Sequence, residues 1–460
     1  MKKVSLSLFC MLFAFALTTL VACDDDSSSQ NNVNNVNNIN NTNNINNINN
    51  INNVNNINNI NNINNMNNVN NLNNVNNLTC DPPCASWEVC EAGTPANVCR
   101  VPEGWTWTHL AVTISDPVVN GTSLMTPVDG LTLGHDAAGH RLFTSYGHDV
   151  DTETVAHLWH LDTVTGVHAK TDLTGTVLPS TENFCMDENW CQFIHFDAAS
   201  GEVWVTGPRA SGILRVDADT WVGRVDATSG TRPANSHIDH AHLFVPEEGA
   251  LFVFGATTPS GFGDALFRLD LASGAWSQVV SGLPNRGGNC LAVDPVANRL
   301  YSFGGQHTED GGETSFEVAD ALVIDLAAGT HDVLAFPAEL GARAQMSCAF
   351  DTTRGVFFVF GGAVVEDYWN DALNTFHNDL WIFDPVAGAW ELVLADLPGG
   401  TLTDPDEYGD RTFEGYPEGP NFGQHRGRML FDAAADRLWL VGEVPRFPHQ
   451  QPYHLDLSGQ

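Results

Sequence analysis

Six times in this chain a short apolar run enters a polar turn, usually headed by Asp, and leaves it as a second apolar run that stops at Gly. The copies occupy residues 131–147, 192–207, 242–255, 290–305, 348–362 and 429–442. Short runs of β-branched and aromatic residues with period-two alternation, bounded by Gly and Asp, are the pattern of strands joined by tight turns. A strand-only unit recurring at intervals of roughly 50 residues predicts a β-propeller, an all-β ring of four-stranded blades.

Each hairpin is followed by a third strand, a Gly or Asp turn, and a fourth, as in LFRLDLASGAWSQVV from Leu266 and LWIFDPVAGAWELVL from Leu380. The sixth copy reaches a third strand at Tyr453, and the sequence ends at Gln460 before a fourth. The run WTWTHLAVT from Trp105 has the pattern of the other fourth strands. An N-terminal strand completing the last blade would pair both free edges of the ring. Residues 101–460 are therefore expected to form one six-bladed propeller.

The diglycines Gly304-Gly305 and Gly361-Gly362, with Trp276, Trp390, Arg286 and Arg343, together resemble the kelch repeat. Copies four and five match well, copy three is intermediate, and the other three lack the second Gly. The resemblance implies a propeller of the galactose oxidase central-domain type. It implies nothing about chemistry, because such propellers include adaptors, scaffolds and a copper enzyme. The Tyr, His and crosslinked Cys set of that enzyme has no counterpart in this sequence.

The N-terminus carries its own address. Lys2 and Lys3 precede an apolar run from Leu6 to Val21. It is short for a membrane span and has the flanks of an export signal. Leu20-Val21-Ala22-Cys23 resembles the bacterial lipobox, which implies a signal over residues 1–22 and lipidation of Cys23; an ordinary cleaved signal is the alternative. The expected location is extracytoplasmic and lipid-anchored. The outer membrane or cell surface is favoured, with the inner membrane the alternative because Asp24 follows Cys23.

Residues 23–79 read as an acidic and Asn-rich tether. Within them, residues 31–78 repeat Asn-Asn-X, a period of three that fits neither helix nor strand. As a flexible coil the tract would span roughly 40 Å; a self-pairing Asn ladder is the competing state. Cys80, Cys84, Cys90 and Cys99 then mark a small module at residues 80–100. In an exported protein they are expected to form two disulfides, in any of three pairings. Cys185 and Cys191 are expected to clip a loop, and Cys290 and Cys348 to be buried thiols.

The formal net charge is −36, from 19 Lys and Arg against 55 Asp and Glu. Such a surface repels nucleic acid and anionic headgroups, so neither is an expected partner and the membrane is met only through the anchor. The chain is expected to act as a monomer.

Topology locates the site. In a four-stranded blade the loops joining strand two to three, and blade to blade, open on one face. The long irregular segments here are all of those kinds. Loops held by rigid blades carry recognition. Arg286, Arg343, Arg426, Arg428, His148, His240, His307 and His425 should converge there, and the Arg forks could receive carboxylates. The competing reading pairs those Arg with nearby acids. Asp404, Asp406, Glu407 and Asp410 are an oxygen-rich cluster suited to calcium, or else a solvated acidic loop. No nucleophile elbow or phosphate loop is present. The sequence therefore favours a binding or scaffold propeller recognising a protein, peptide or glycan. The alternative is a glycan-active hydrolase or lyase, calcium-supported.

Overall fold

The computed structural model describes residues 89–91, 98–100, 105–111, 113–114, 133–148, 155–181, 192–233, 241–255, 257–258, 261–309, 314–364, 375–395, 401–402, 413–414, 428–442 and 451–458. Cys23, the Asn-rich tract, Cys80, Cys84, Cys185, Cys191, His240, His425, Arg426 and the Asp404, Asp406, Glu407 and Asp410 cluster lie outside them.

The chain is all-β and builds six blades. From inner to outer strand, the first blade is Gly134–Asp136, Arg141–His148, Ala156–Asp162 and Val167–Asp172. The second is Phe193–Asp197, Glu202–Thr206, Gly212–Asp217 and Val222–Ala227. The third is Ala241–Val245, Ala250–Phe254, Leu266–Asp270 and Ala275–Val280. The fourth is Cys290–Asp294, Arg299–Phe303, Asp320–Asp325 and Thr330–Ala335. The fifth is Ser347–Asp351, Val356–Val364, Thr375–Asp384 and Ala389–Leu394.

The sixth blade takes Arg428–Asp432, Arg437–Gly442 and Gln451–Asp456 from the end of the chain, and Thr108–His109 from its beginning. Thr108 pairs with His454 and His109 with Tyr453 in antiparallel register. The closure expected from the Trp105 run is the one observed. Trp105 itself is buried against Phe358 of the fifth blade, at 6.0 Å between rings.

Each blade is covered on both faces by its neighbours, so alternate residues of one strand feed two different cores. In the fifth blade Phe357 and Val359 pack toward the fourth, while Val356, Phe358 and Phe360 pack toward the sixth. In the third, Leu251 and Val253 face the second blade and Ala250, Phe252 and Phe254 the fourth. Strands buried on both faces read as continuous apolar runs, which is why VFFVF and ALFVF show no polar alternation. Six separate clusters result, one per junction. Among the described residues the sparsest joins the last blade to the first, through Leu142, Leu161, Trp439 and Val441.

The recurrent Asp explains much of the acidity. Asp294 Oδ1 accepts the backbone N–H groups of Val296 and Ala297 at 2.9 and 3.0 Å, and so closes its turn. Asp351 and Asp432 do the same between first and second strands, and Asp162, Asp217, Asp325 and Asp384 between third and fourth. Hydrogen bonds to the charged form hold Asp162 and Asp217 below the usual carboxylate range. All these turns lie on one face of the ring.

Cys90 sits directly opposite Cys99 on the short antiparallel pair Val89–Glu91 and Val98–Arg100. One sequence expectation is corrected: Cys290 and Cys348 are joined by a disulfide, with Cα atoms 5.9 Å apart. The one-residue register difference that argued for free thiols does not govern their distance. First strands of neighbouring blades converge without sharing a hydrogen-bond ladder, so their Cα atoms come within bridging range despite the offset.

Candidate binding face

On the face opposite the Asp turns, blades three to five project beyond their sheets. The third blade carries the hairpin Thr257–Thr258 with Gly261–Phe262, and the fourth the hairpin Gln306–Glu309 with Thr314–Glu317. In the fifth the second and third strands themselves continue outward, pairing Gly362 with His377 and Val364 with Thr375.

Side-chain amides fix these projections. Asn285 donates from Nδ2 to the Thr308 carbonyl at 3.0 Å and accepts the Thr308 N–H at 3.0 Å, so its amide acts as one more peptide group in the ladder. The Thr308 hydroxyl accepts the Phe262 N–H at 3.0 Å, tying the hairpins of blades three and four together. Gln192 does the same for Tyr146 in the first blade, accepting its N–H at 2.9 Å and donating to its carbonyl at 2.7 Å. Sequence reasoning missed both amides. The available signal was an Asn or Gln in the lead to a first strand, which is indistinguishable from any loop amide without the partner.

His307 lies where the sequence placed it, on the fourth-blade hairpin. Its Nδ1 is 3.1 Å from the Asn285 carbonyl, and its ring lies edge-on to Phe316 at 5.3 Å. Phe316 is 42% exposed, an aromatic face held toward solvent by a rigid hairpin. His148 ends a second strand in the first blade, with Nε2 3.4 Å from the Tyr146 hydroxyl, which itself donates to the Leu178 carbonyl at 2.6 Å. Close by, His157 is buried beneath Gly147, and burial, reinforced by the charge of Lys170, lowers its pKa to about 4. Arg428 opens the first strand of the sixth blade opposite Val441 and is half-buried.

Arg286 and Arg343 are not presented to a ligand. They are 2% and 3% exposed. Arg286 pairs with Asp320 and donates to the Gly304 carbonyl at 2.9 Å; Arg343 pairs with Asp379 at 2.5 Å and donates to the Gly361 carbonyl at 3.1 Å. Each guanidinium ties three elements of its own blade: the lead to strand one, the glycine exit of strand two and the entry of strand three. Blade four's exit also meets the next blade, since the Gly305 N–H donates to the Arg343 carbonyl at 2.8 Å. Gly304 has φ 55°, and a Cβ there would lie 2.4 Å from that same carbonyl, so only glycine fits. These arginines are posts under the binding face, and the ligand-facing basic ring expected from the sequence is withdrawn for both.

At the axis, His135 Nε2 lies 3.6 Å from Asp432 across the first and sixth blades. His195 stacks on Phe244 at 4.5 Å, and burial lowers its pKa to about 4. Among the described residues no group of three His, Cys, Asp or Glu side chains is placed to hold a metal ion.

No protein-family model matches the chain, and a search of curated proteins returns no match.

Proposed function

We propose that this chain is a lipid-anchored, extracytoplasmic binding or scaffold protein whose kelch-like propeller recognises a protein, peptide or glycan through its projecting loop face. One observation carries the reading: the two faces are built unequally. One is closed by short Asp-capped turns, and the other bears pinned hairpins on three successive blades with an exposed aromatic at Phe316. Rigid hairpins lose little conformational entropy when a ligand binds, and an aromatic face set among hydroxyls and amides suits sugars and peptide side chains alike. The kelch likeness is supported by blades four and five, where Arg, diglycine and Asp form one repeated unit. The anchor at Cys23 and the tether rest on sequence.

A glycan and peptide array, probed with the purified protein with and without calcium, tests this reading. Retention without product, lost in Phe316→Ala, is the expected result. Product formation would replace it with the glycan hydrolase or lyase alternative. Unchanged retention by Phe316→Ala would move the site off these blades. Lipidation is checked separately by labelling with a fatty-acid analogue, which Cys23→Ala should abolish.

A further inference from the structure

Three outer strands in this ring are covered by the chain itself. Thr113–Ile114 pairs in parallel with Val167 and His168 of blade one, Thr174–Gly175 with Val222 and Gly223 of blade two, and Ser229–Gly230 with Ala275 and Trp276 of blade three. Each clasp comes from the segment leaving the preceding blade, and each meets the first two residues of the outer strand. In blade three the Ser229 N–H donates to the Gly274 carbonyl at 2.9 Å and the Thr231 N–H to the Trp276 carbonyl at 3.1 Å.

Blade five repeats the clasped sequence of blade three. Gly274-Ala275-Trp276 corresponds to Gly388-Ala389-Trp390, in the same register against strand three: Ala275 opposite Asp270 and Ala389 opposite Asp384, Trp276 opposite Leu269 and Trp390 opposite Phe383. Gly274 and Gly388 share the left-handed backbone, with φ 69° and 64°. The difference lies outside the strand. A Cβ on Gly274 would meet the Ala227 carbonyl at 2.5 Å, whereas one on Gly388 would meet nothing within 4 Å. Among the described residues nothing pairs with the outer edge of Ala389–Leu394. Trp276 is buried and Trp390 only half-buried, and Leu392, further along the same edge strand, is 43% exposed.

We propose that the outer edge of blade five, at Gly388, Ala389 and Trp390, is a docking site for an extended Ser-Gly-Thr segment of a partner protein, added in parallel as a fifth strand. The chemistry of the occupant is read from the chain's own clasp. Ser229 and Thr231 supply the two N–H donors. Gly230 is required between them, because its φ is 85° and a Cβ there would lie 2.2 Å from the Trp276 carbonyl. In the clasp Arg232 follows, and a cationic residue at that place suits a chain of net charge −36. Strand addition of this kind takes its affinity from main-chain hydrogen bonds and its specificity from side-chain fit. The site lies on the side wall of the ring and does not depend on the loop-face reading.

The probe is the capped peptide Ala-Thr-Ser-Gly-Thr-Arg, the sequence of residues 227–232, with a Gly→Val version as control. Amide hydrogen exchange on the intact protein, with residue resolution, reads both the binding and its place. The expected result is slowed exchange within residues 388–392 that saturates with peptide. The control should need about tenfold more peptide or fail, since its side chain would collide with the Trp390 carbonyl. Because the control alters the peptide and not the protein, misfolding cannot imitate the result. No slowing at residues 388–392, equal slowing by both peptides, or slowing confined to Ala275–Val280 through exchange with the chain's own clasp would each overturn the proposal.

Discussion

Blades one to three and blades four and five solve one problem by different means. All present the same antiparallel sheet to their neighbours, and all must fix the exits of their strands. Blades one to three receive a clasp on the outer strand from the segment leaving the blade before. Blades four and five have no such clasp among the described residues; a buried Arg in the lead grips the strand-two exit and an Asp at the start of strand three. Blades one and two also bury histidines, His157 and His195, where the later blades bury ion pairs. The repeat therefore conserves a shape, while the chemistry holding that shape changes around the ring.

The largest effect expected to separate the two halves is acid. Burial lowers the pKa of His157 and His195 to about 4 in the folded chain, against 6.5 for a free imidazole. The folded state thus prefers the neutral rings, so their contribution is complete above pH 6.5 and is lost as pH falls toward 4. Lys170 adds to the lowering at His157 and Asp172 opposes it, as Asp197 does at His195. The pair accounts for on the order of 5 kcal/mol. Hydrogen exchange at pH 7 and pH 5 should show blades one and two loosening first. Uniform loosening around the ring would erase the contrast.

Next in size is the post. Arg343→Met leaves Asp379 buried without its partner and should cost about 3–5 kcal/mol, measured by denaturant unfolding. The double change Arg343→Met with Asp379→Leu should recover most of that, because an apolar pair of similar volume can replace a buried ion pair. A double variant no better than the single would mean that the Gly361 carbonyl contact, and not the charge, is what matters.

The disulfide belongs to the same half, joining the first strands of blades four and five across 58 residues of sequence. Cys290→Ser with Cys348→Ser should cost about 3 kcal/mol, chiefly by loosening the unfolded chain. Reductant should shift the melting temperature of the parent and leave that of the variant unmoved.

How far these devices could be read beforehand follows from their range. The strands, their turns and the ring closure were legible because each leaves a local mark: apolar alternation, an Asp one or two residues ahead of the N–H groups it caps, and a fourth-strand pattern stranded at Trp105. The Cys290–Cys348 bridge was not, since it depends on how two unpaired strands converge. The role of Arg286 and Arg343 was legible only as two alternatives. Their positions marked them as a unit with the diglycines, but whether a guanidinium faces ligand or Asp depends on residues 34 and 36 positions away. The clasps were invisible for a different reason: Thr-Gly and Ser-Gly dipeptides look like any turn.

The smallest predicted effect tests that last device. Gly230→Val places a side chain where a Cβ already lies 2.2 Å from the Trp276 carbonyl, on a backbone with φ 85° that side chains rarely adopt. The clasp must detach. The loss is limited to its few exposed hydrogen bonds, about 1–2 kcal/mol, because Trp276 and the strands beneath it remain in their cores. Amide exchange at Ala275–Val280 should then rise to the rate seen at Ala389–Leu394, turning the third blade's edge into a copy of the fifth's. If the two edges still differ, the clasp is not what distinguishes them, and the difference must lie in the bodies of the blades.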